Sequence, residues 1–246
     1  MLKKEVETKR KSDNQKVIMD KDTLIKFRDF LSQYVQEDRI KLFNKILDER
    51  TRHITVVLED IFQPQNASAV IRSCDCFGIQ DAHIIENKNE YQINPLVVHG
   101  ASNWVEFHKY NQLQNNTLDC INKLKDQGYR IVATSPHGND TDLPDFDVTK
   151  GKVALVFGSE APGVSDIVKE NADEFVKIPM HGFTESFNIS VSAAICLSHI
   201  SSELRKSDVD YHLSQDERDV LITKWMRQTV LDGDKMEREF YRRINT

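Results

Sequence analysis

Long apolar stretches are missing from this 246-residue sequence, whose longest apolar runs have only the length of a β-strand. A membrane-spanning helix needs about 20 consecutive apolar residues, so no segment is predicted to cross a membrane. The N-terminal residues MLKKEVETKRKSDNQK carry charges with no apolar segment behind them, which argues against a secretory signal. We therefore expect a cytoplasmic protein without a membrane partner.

Cysteine is scarce, and no two cysteines are spaced as CxxC. The four are Cys74, Cys76, Cys120 and Cys196. On a helix, Cys74 and Cys76 would point about 200° apart. The sequence therefore predicts no metal site, and reduced thiols are the expectation for a cytosolic chain.

Glycine is also scarce, and the glycine patterns that bind phosphate are absent. The chain has nine glycines, and it contains neither GxGxxG nor GxxxxGK followed by Ser or Thr. Those patterns bring the backbone close to a nucleotide phosphate. Their absence counts against a nucleotide-binding α/β enzyme, which stays as an alternative.

The chain as a whole lacks an excess of positive charge, but its N-terminal part has one. The formal net charge is -6, which argues mildly against nucleic-acid binding. Residues 1–52 nevertheless carry a net charge of +4, and residues 53–200 carry −9. Taken alone, this charge pattern favours a solvated helical face with a floppy tail.

What the sequence does contain is an alternation of strand and helix patterns over residues 53–205, with hydrophobic residues making up 39% of the chain. This order predicts an α/β fold with a mostly parallel sheet covered by helices on both faces. Binding sites in such sheets lie at the carboxyl ends of the strands. Strands are predicted at 53–60, 81–86, 129–135, 152–160 and 174–180, and helices at 118–128, 165–173 and 189–205.

The two ends of the chain have other patterns. Residues 1–20 are polar and are predicted to be a disordered basic tail, and residues 21–52 to be two short helices with a break near 36–38. Residues 206–246 form a predicted helical extension that restarts at a capping box, Ser214 to Glu217. We therefore expect a tail, a helical arm, an α/β domain at 53–205 and a helical extension.

The first candidate segment, NASAVIRSCDCFG at 66–78, follows the first predicted strand. Asn66 can cap a helix there and Gly78 can end it. Helical spacing puts Arg72 away from the apolar stripe, on a polar face with Ser68, Asp75 and Cys76. A plain surface arginine that pairs with Asp75 at i+3 is the alternative interpretation.

Two more segments follow strand ends. FGSEAPGVS (157–165) contains glycines that allow a ligand close to the backbone, although a tight turn with Glu160 in solvent would use the same residues. IPMHGFTESFNISVSAA (178–194) places Ser186 and Asn188 at a helix start. Both residue types are preferred helix caps, so a capping role alone explains them.

Taken together and in order, the three segments resemble the motifs of the SpoU/TrmH family of RNA ribose 2′-O-methyltransferases, in the SPOUT superfamily. Asn66 and Arg72 match the first motif. The FGxE-x-x-G turn of the second is matched by Gly158, Glu160 and Gly163. Ser186 and Asn188 match the third, where Phe187 stands at a position that is usually leucine. The resemblance covers residues 53 to about 205.

The resemblance implies a C-terminal deep trefoil knot, S-adenosylmethionine as cofactor and a homodimer that completes the site. The knot does not follow from sequence physics, since knots are nearly absent among folds. By position, the catalytic residues would be Asn66, Arg72, Glu160, Ser186 and Asn188. The cofactor would contact Thr134, Gly158, Ile178, Met180 and Phe187.

The role of the first-motif arginine has two interpretations. Family proposals make this arginine the general base, but a guanidinium keeps its proton above about pH 12, and a good base is poised near the working pH. Arg72 either loses its proton in a special site, or stays charged and binds a phosphate beside the target hydroxyl. Both remain open at this point.

The short helical arm and tail look like the TrmH branch, which methylates the ribose of the D-loop guanosine, position 18, of tRNA. The +4 arm and the tail cations would then hold the RNA backbone. These tail residues are Lys235, Arg238, Arg242 and Arg243. A ribosomal RNA substrate, or a non-catalytic RNA-binding dimer, are the competing hypotheses.

Overall fold

The computed structural model describes residues 19–135, 140–159 and 163–244. These residues form two compact units. One unit comprises the described parts of Met1–Leu42 and Gln215–Thr246, and the other is Phe43–Ser214. Within the described residues, no helix is long and apolar enough to cross a membrane.

The larger unit is built on a sheet whose strand pairings are all parallel. Its strands lie in the order β3-β2-β1-β6-β4-β7-β5. The bounds are β1 Ile54–Glu59, β2 Asp81–Ile85, β3 Glu106–Tyr110, β4 Arg130–Thr134, β5 Thr141–Asp142, β6 Val153–Phe157 and β7 Glu174–Lys177. The predicted α/β class and mostly parallel sheet are confirmed.

Helices connect these strands and form the smaller unit. The helices at the two ends of the chain are α1 Lys21–Ser32, α2 Glu37–Glu49, α8 Gln215–Thr229 and α9 Gly233–Ile244. Of these, α2 begins in the smaller unit and ends in the larger one. Those between and after the strands are α3 Pro64–Cys76, α4 Pro95–Val98, α5 Asn116–Asp126, α6 Asp166–Asn171 and α7 Ile189–Lys206. The predicted break between two N-terminal helices is confirmed at residues 33–36.

Strand alternation sorts the buried side chains of β1 onto two faces, and each face has its own core. Val56 and Leu58 belong to a cluster with buried residues of α3 and α7. Val57, between them in sequence, belongs to a second cluster with residues of α5 and α6. Burial on both faces explains why β1 and β6 read as nearly continuous apolar runs.

Two strands were missed by the sequence patterns. β3 has the sequence EFHKY, with only Tyr110 fully buried, and it is an edge strand with a single neighbour, β2. β5 is only two residues long, Thr141–Asp142. Edge strands keep one side exposed and can be polar, so neither carries the apolar signature that identified the central strands.

The smaller unit is held by an aromatic cluster and a charged pair. Phe240 of α9 packs against Phe27 and Phe30 of α1, with ring centroids 5.0 and 5.7 Å away. Arg28 donates to Asp219 of α8 at 2.7 Å, and that carboxylate is nearly buried. These contacts join α1, at the start of the chain, to the two C-terminal helices.

A histidine pair lies at the β2–β3 edge of the sheet. The rings of His83 and His108 stack with centroids 4.6 Å apart. His83 Nδ1 lies 3.1 Å from the Tyr110 hydroxyl, and His108 Nε2 lies 2.8 Å from Asp81. Burial, and to a smaller degree the neighbouring His108, lower the pKa of His83 to about 3, so His83 is neutral in the fold.

This buried neutral histidine predicts a loss of stability in mild acid. Below pH 6.5 His83 becomes protonated in the unfolded chain, whereas in the folded chain it stays neutral down to about pH 3. The free energy of unfolding should therefore fall by up to about 1.4 kcal/mol per pH unit from this group. Urea unfolding between pH 7 and 5 should show a smaller slope with pH for His83→Asn, which cannot titrate. An equal pH dependence of the free energy of unfolding in the wild type and in His83→Asn would contradict a buried, neutral His83.

Candidate functional site at the carboxyl ends of the strands

The three candidate segments lie at one edge of the sheet. They follow β1, β6 and β7, and parallel strands end at the same edge. β1 and β6 are direct neighbours, with Leu58 opposite Phe157, and β4 separates β6 from β7. The prediction that the site lies past the carboxyl ends of the strands is consistent with this arrangement.

Asn66 is not the helix cap that its residue type suggested. Helix α3 begins two residues earlier, with Pro64 in the first turn and Gln63 as N-cap. Proline suits this position, because the first helical N–H has no partner within the helix. The prediction of Asn66 as cap is therefore wrong, and its buried side chain contacts a different segment.

That contact joins the first and third segments. Asn188 Nδ2 donates to Asn66 Oδ1 at 3.1 Å, across 122 positions of sequence. Asn188 Oδ1 accepts from the backbone N–H of Ser190 at 2.9 Å and from its hydroxyl at 2.6 Å. Asn188 thus caps α7, as a capping role predicted, and also binds the first segment.

Arg72 is exposed on α3 and does not pair with Asp75. The Asp75 carboxylate binds Arg50, whose side chain is almost completely buried. Arg72 itself makes no hydrogen bond or ion pair with any residue that the structure describes. The plain pairing with Asp75 is therefore wrong, and the guanidinium is available to a ligand.

The polar face expected around Arg72 is only partly polar. Ser68 was placed on it, but this residue is completely buried. Its hydroxyl accepts from the backbone N–H of Asn94, in the segment leading to α4, at 2.8 Å. α3 therefore packs on two sides, against the sheet and against the 94–104 region. Gly78 ends the helix region at a positive φ of 77°, as predicted.

The described ends of the second segment, on either side of residues 160–162, meet at a tight neck. Gly163 N–H donates to the Ser159 carbonyl at 3.0 Å. A Cβ on Gly158 would overlap the Gly163 carbonyl group, so only glycine fits here. Glu160, expected to be catalytic, lies outside the described residues.

A cavity of about 580 Å³ opens beside this neck. Its volume is within the range of small-molecule sites. Its lining includes Thr134, Gly158, Ile178, Met180, Ser186, Phe187 and Asn188, together with Lys169, Glu185, Ser192 and Cys196. All five residues expected to contact a cofactor are therefore on one cavity, with two of the expected catalytic residues. Arg72 and Asn66 do not line it.

Sequence reasoning missed several of the lining residues, among them Lys169, Glu185, Ser192 and Cys196. Lys169 and Glu185 are ionisable residues of the lining, and Lys169 pairs with Asp166 at 2.9 Å on the exposed surface of α6. Ser192 and Cys196 lie on α7, one and two turns past Asn188. Helical spacing from Asn188, at i+4 and i+8, is the signal that could have found them.

The cavity thiol is not a nucleophile. Burial raises the pKa of Cys196 to about 12, so the thiol stays protonated at neutral pH. Thiolates, not thiols, attack electrophiles. The cavity therefore offers no thiolate, and its hydroxyls, amide, apolar side chains and the ionisable Lys169 and Glu185 suit binding and orientation of a ligand.

Residues 53–198 match the SpoU rRNA Methylase family. A tRNA (guanosine(18)-2′-O)-methyltransferase of Borreliella burgdorferi is 42% identical over 209 residues, which are 85% of this chain and 94% of that protein. These matches show that the chain belongs to the SpoU methylase family.

Solved structures agree with this assignment. The chain is similar to a crystal structure of the TrmH/SpoU tRNA modifying enzyme of A. aeolicus, with a TM-score of 0.69 and 28% identity, over 79% of this chain and 98% of that one. It shares its fold with the SpoU methyltransferase AviRb of Streptomyces viridochromogenes, solved with AdoMet. That match has a TM-score of 0.55 and 23% identity, over 64% of this chain and 60% of AviRb.

The tight neck predicts a position-specific cost of adding one methyl group. Gly158→Ala must push the neck apart, whereas a Cβ on Gly182 meets nothing closer than 4.0 Å. Overpacking costs about 1–3 kcal/mol, so Gly158→Ala should lower the melting temperature by about 2–12 °C. Gly182→Ala is the matched control and should melt like the wild type in a calorimetric scan. Equal melting of the two variants would contradict the close packing of Gly158.

Proposed function

We propose that this protein transfers a methyl group from S-adenosylmethionine to the ribose 2′-hydroxyl of guanosine 18 in the D-loop of tRNA. The observation that carries the proposal is the similarity to the B. burgdorferi enzyme of that specificity, which spans 94% of that protein. A similarity of this length extends beyond residues 53–198, which define the family, and so includes terminal segments that would select the RNA.

The chemistry of the cavity fits the cofactor. Ile178, Met180 and Phe187 offer apolar surface, and Gly158 also lines the cavity. Thr134 adds a hydroxyl, which donates to the Val156 carbonyl at 3.0 Å. We propose that these residues hold S-adenosylmethionine. When bound, the cofactor supplies an electrophilic methyl group on a sulfonium.

The protein's part is then to place the 2′-hydroxyl and help remove its proton. The Asn66–Asn188 pair fixes two polar side chains where the first and third segments meet. The exposed Ser186 adds a hydroxyl to the cavity lining. We assign Asn66, Ser186 and Asn188 to orientation of the ribose, and Glu160 keeps its predicted place in the catalytic set.

For Arg72 the proposal favours the charged role. The side chain is exposed and no described carboxylate binds it. An exposed guanidinium matches the geometry of a phosphate, to which it can donate two parallel hydrogen bonds. Arg72 would bind an RNA phosphate beside the target ribose and favour loss of the hydroxyl proton.

The position of Arg72 outside the cavity lining supports a homodimer. A catalytic arginine that does not reach the cavity of its own chain can act in the site of a second copy. Apolar side chains near the third segment are exposed, among them Phe183, Phe187 and Val191, and exposed apolar surface of this kind is typical of interfaces. We propose that a second copy covers them and completes the site.

We also propose the trefoil knot of the family. Its support is the path of the chain after β7. In the sheet, β6 and β4 lie between β1 and β7. From β7 the chain returns to place α7 against α3, the helix that follows β1. The return passes the carboxyl ends of β4 and β6, beside Gly158 and Gly163. Acting on tRNA, such an enzyme would work in the cytoplasm.

The smaller unit offers cations for the RNA backbone. Lys235 and Arg238 are exposed on α9, and their side chains pair with no described residue. Arg242 and Arg243 both contact Glu239 at 2.8 Å, which neutralises part of their charge. Lys235 and Arg238 are therefore the stronger candidates for phosphate contacts, which would make binding salt-dependent.

The proposed function is tested with purified protein, labelled S-adenosylmethionine and a tRNA transcript. Nucleoside mass spectrometry should find 2′-O-methylguanosine at position 18, at up to one methyl group per tRNA. A matched tRNA with 2′-deoxyguanosine at position 18 lacks the acceptor and should stay unmethylated. Methylation of ribosomal RNA fragments without methylation of the tRNA would overturn the substrate assignment.

Loss of the guanidinium should slow the reaction without weakening cofactor binding. Arg72→Ala should lower kcat by about a hundredfold or more, as removal of one charge-stabilising donor does, with the Kd of S-adenosylmethionine unchanged by calorimetry. Arg72→Lys should recover part of the rate, because it keeps the charge but loses the planar fork. Lys125→Ala on α5 removes a surface cation as a control. A normal rate for Arg72→Ala would contradict the role.

A further inference from the structure

The residue at the start of α3 does not serve its helix in the usual way. Gln63 is the N-cap, but its side chain makes no capping hydrogen bond to the first turn. Ser, Thr, Asp and Asn are the residues that cap well from this position. Instead, Gln63 Oε1 accepts a hydrogen bond from Asn66 Nδ2 at 3.3 Å. The Gln63 side chain therefore binds the Asn66 side chain and not the backbone of the first helical turn.

This contact is the end of a chain of amides whose direction is fixed by one backbone group. The Ser190 N–H can only donate, so the group of Asn188 that faces it must be the oxygen Oδ1. The amide nitrogen of Asn188 then faces Asn66, and the Asn66 group that meets it must be an oxygen. Asn66 Nδ2 is left to face Gln63, which must offer its own oxygen.

The result is a side chain held at two points. Asn66 is anchored on its oxygen side by Asn188, from the start of α7, and on its nitrogen side by Gln63, from the start of α3. Each amide oxygen has a second lone pair and each amide nitrogen a second proton. The direction in which the Asn66 amide presents its oxygen and its nitrogen to a ribose therefore depends on both anchors.

We propose that Gln63 is a positioning residue for methyl transfer, which holds the Asn66 amide in the orientation that Asn188 gives it by accepting its N–H. This inference rests on the proposed function, since it assigns Gln63 to the same site. Gln63 is exposed and contributes no buried apolar contact, so its removal leaves the core intact. The effect should appear in the rate of the chemical step and not in the affinity for cofactor or RNA.

Three variants test the inference. Gln63→Leu removes the acceptor at similar size, Gln63→Glu keeps an acceptor oxygen, and Gln65→Leu makes the same apolar change on an exposed side chain of the same turn. The single-turnover methyl-transfer rate at saturating tRNA and S-adenosylmethionine should fall about threefold to tenfold in Gln63→Leu, as expected for one neutral hydrogen bond. Gln63→Glu and Gln65→Leu should stay within about twofold of the wild type.

Two outcomes would overturn the inference. One is a wild-type rate for Gln63→Leu, and the other is an equal loss in Gln63→Leu and Gln63→Glu, which would show that the acceptor is not what matters. Melting temperatures and the Kd of S-adenosylmethionine check that both variants are folded and bind cofactor.

A second readout separates this inference from the proposed function. In NMR spectra of the labelled protein, the side-chain amide signals of Asn66 should shift in Gln63→Leu and not in Gln65→Leu. If the wild type fails to methylate tRNA but the shift is seen, the function is wrong and the positioning contact stands. If no shift is seen, the positioning contact is wrong whatever the activity.

Discussion

The hydrogen bond between Asn66 and Asn188 is the contact on which the arrangement of the site depends. It joins side chains 122 positions apart in sequence, at the starts of α3 and α7. Both helices pack in the same core against β1 and its neighbours, so the two helix starts arrive at the carboxyl edge of one sheet. The parallel sheet brings the segments together, and the amide pair fixes them relative to each other.

The buried framework of the protein was predictable because its strands have strong patterns. β1 and β6 are apolar on both faces, as strands between two helix layers must be. The edge strands were missed, because β3 exposes His108 and Lys109 and β5 has two residues. For the site, position past the strand ends was predictable from topology alone. The cavity residues Ser192 and Cys196 were missed because their helix reads as an ordinary core helix, and only their spacing from Asn188 indicates them.

The error over Asn66 shows where local rules stop. Its residue type favours a helix cap, and the cap would have explained it fully. The helix instead starts at Pro64, which leaves the cap position to Gln63 and the Asn66 amide to other side chains. A sequence that forgoes a good cap gives up about 1 kcal/mol of helix stability. Departures from local preference of this kind concentrate at functional sites, and this one supplies the anchor for Asn66.

The central claim is that the first and third segments act as one site through the two asparagines. A double-mutant cycle of Asn66→Ala and Asn188→Ala, read as kcat/KM for methyl transfer to tRNA, tests it directly. The account predicts that the double variant loses much less than the product of the two single losses, with a coupling of about 1 kcal/mol or more, as contacting residues show. Independent, multiplicative losses would contradict it.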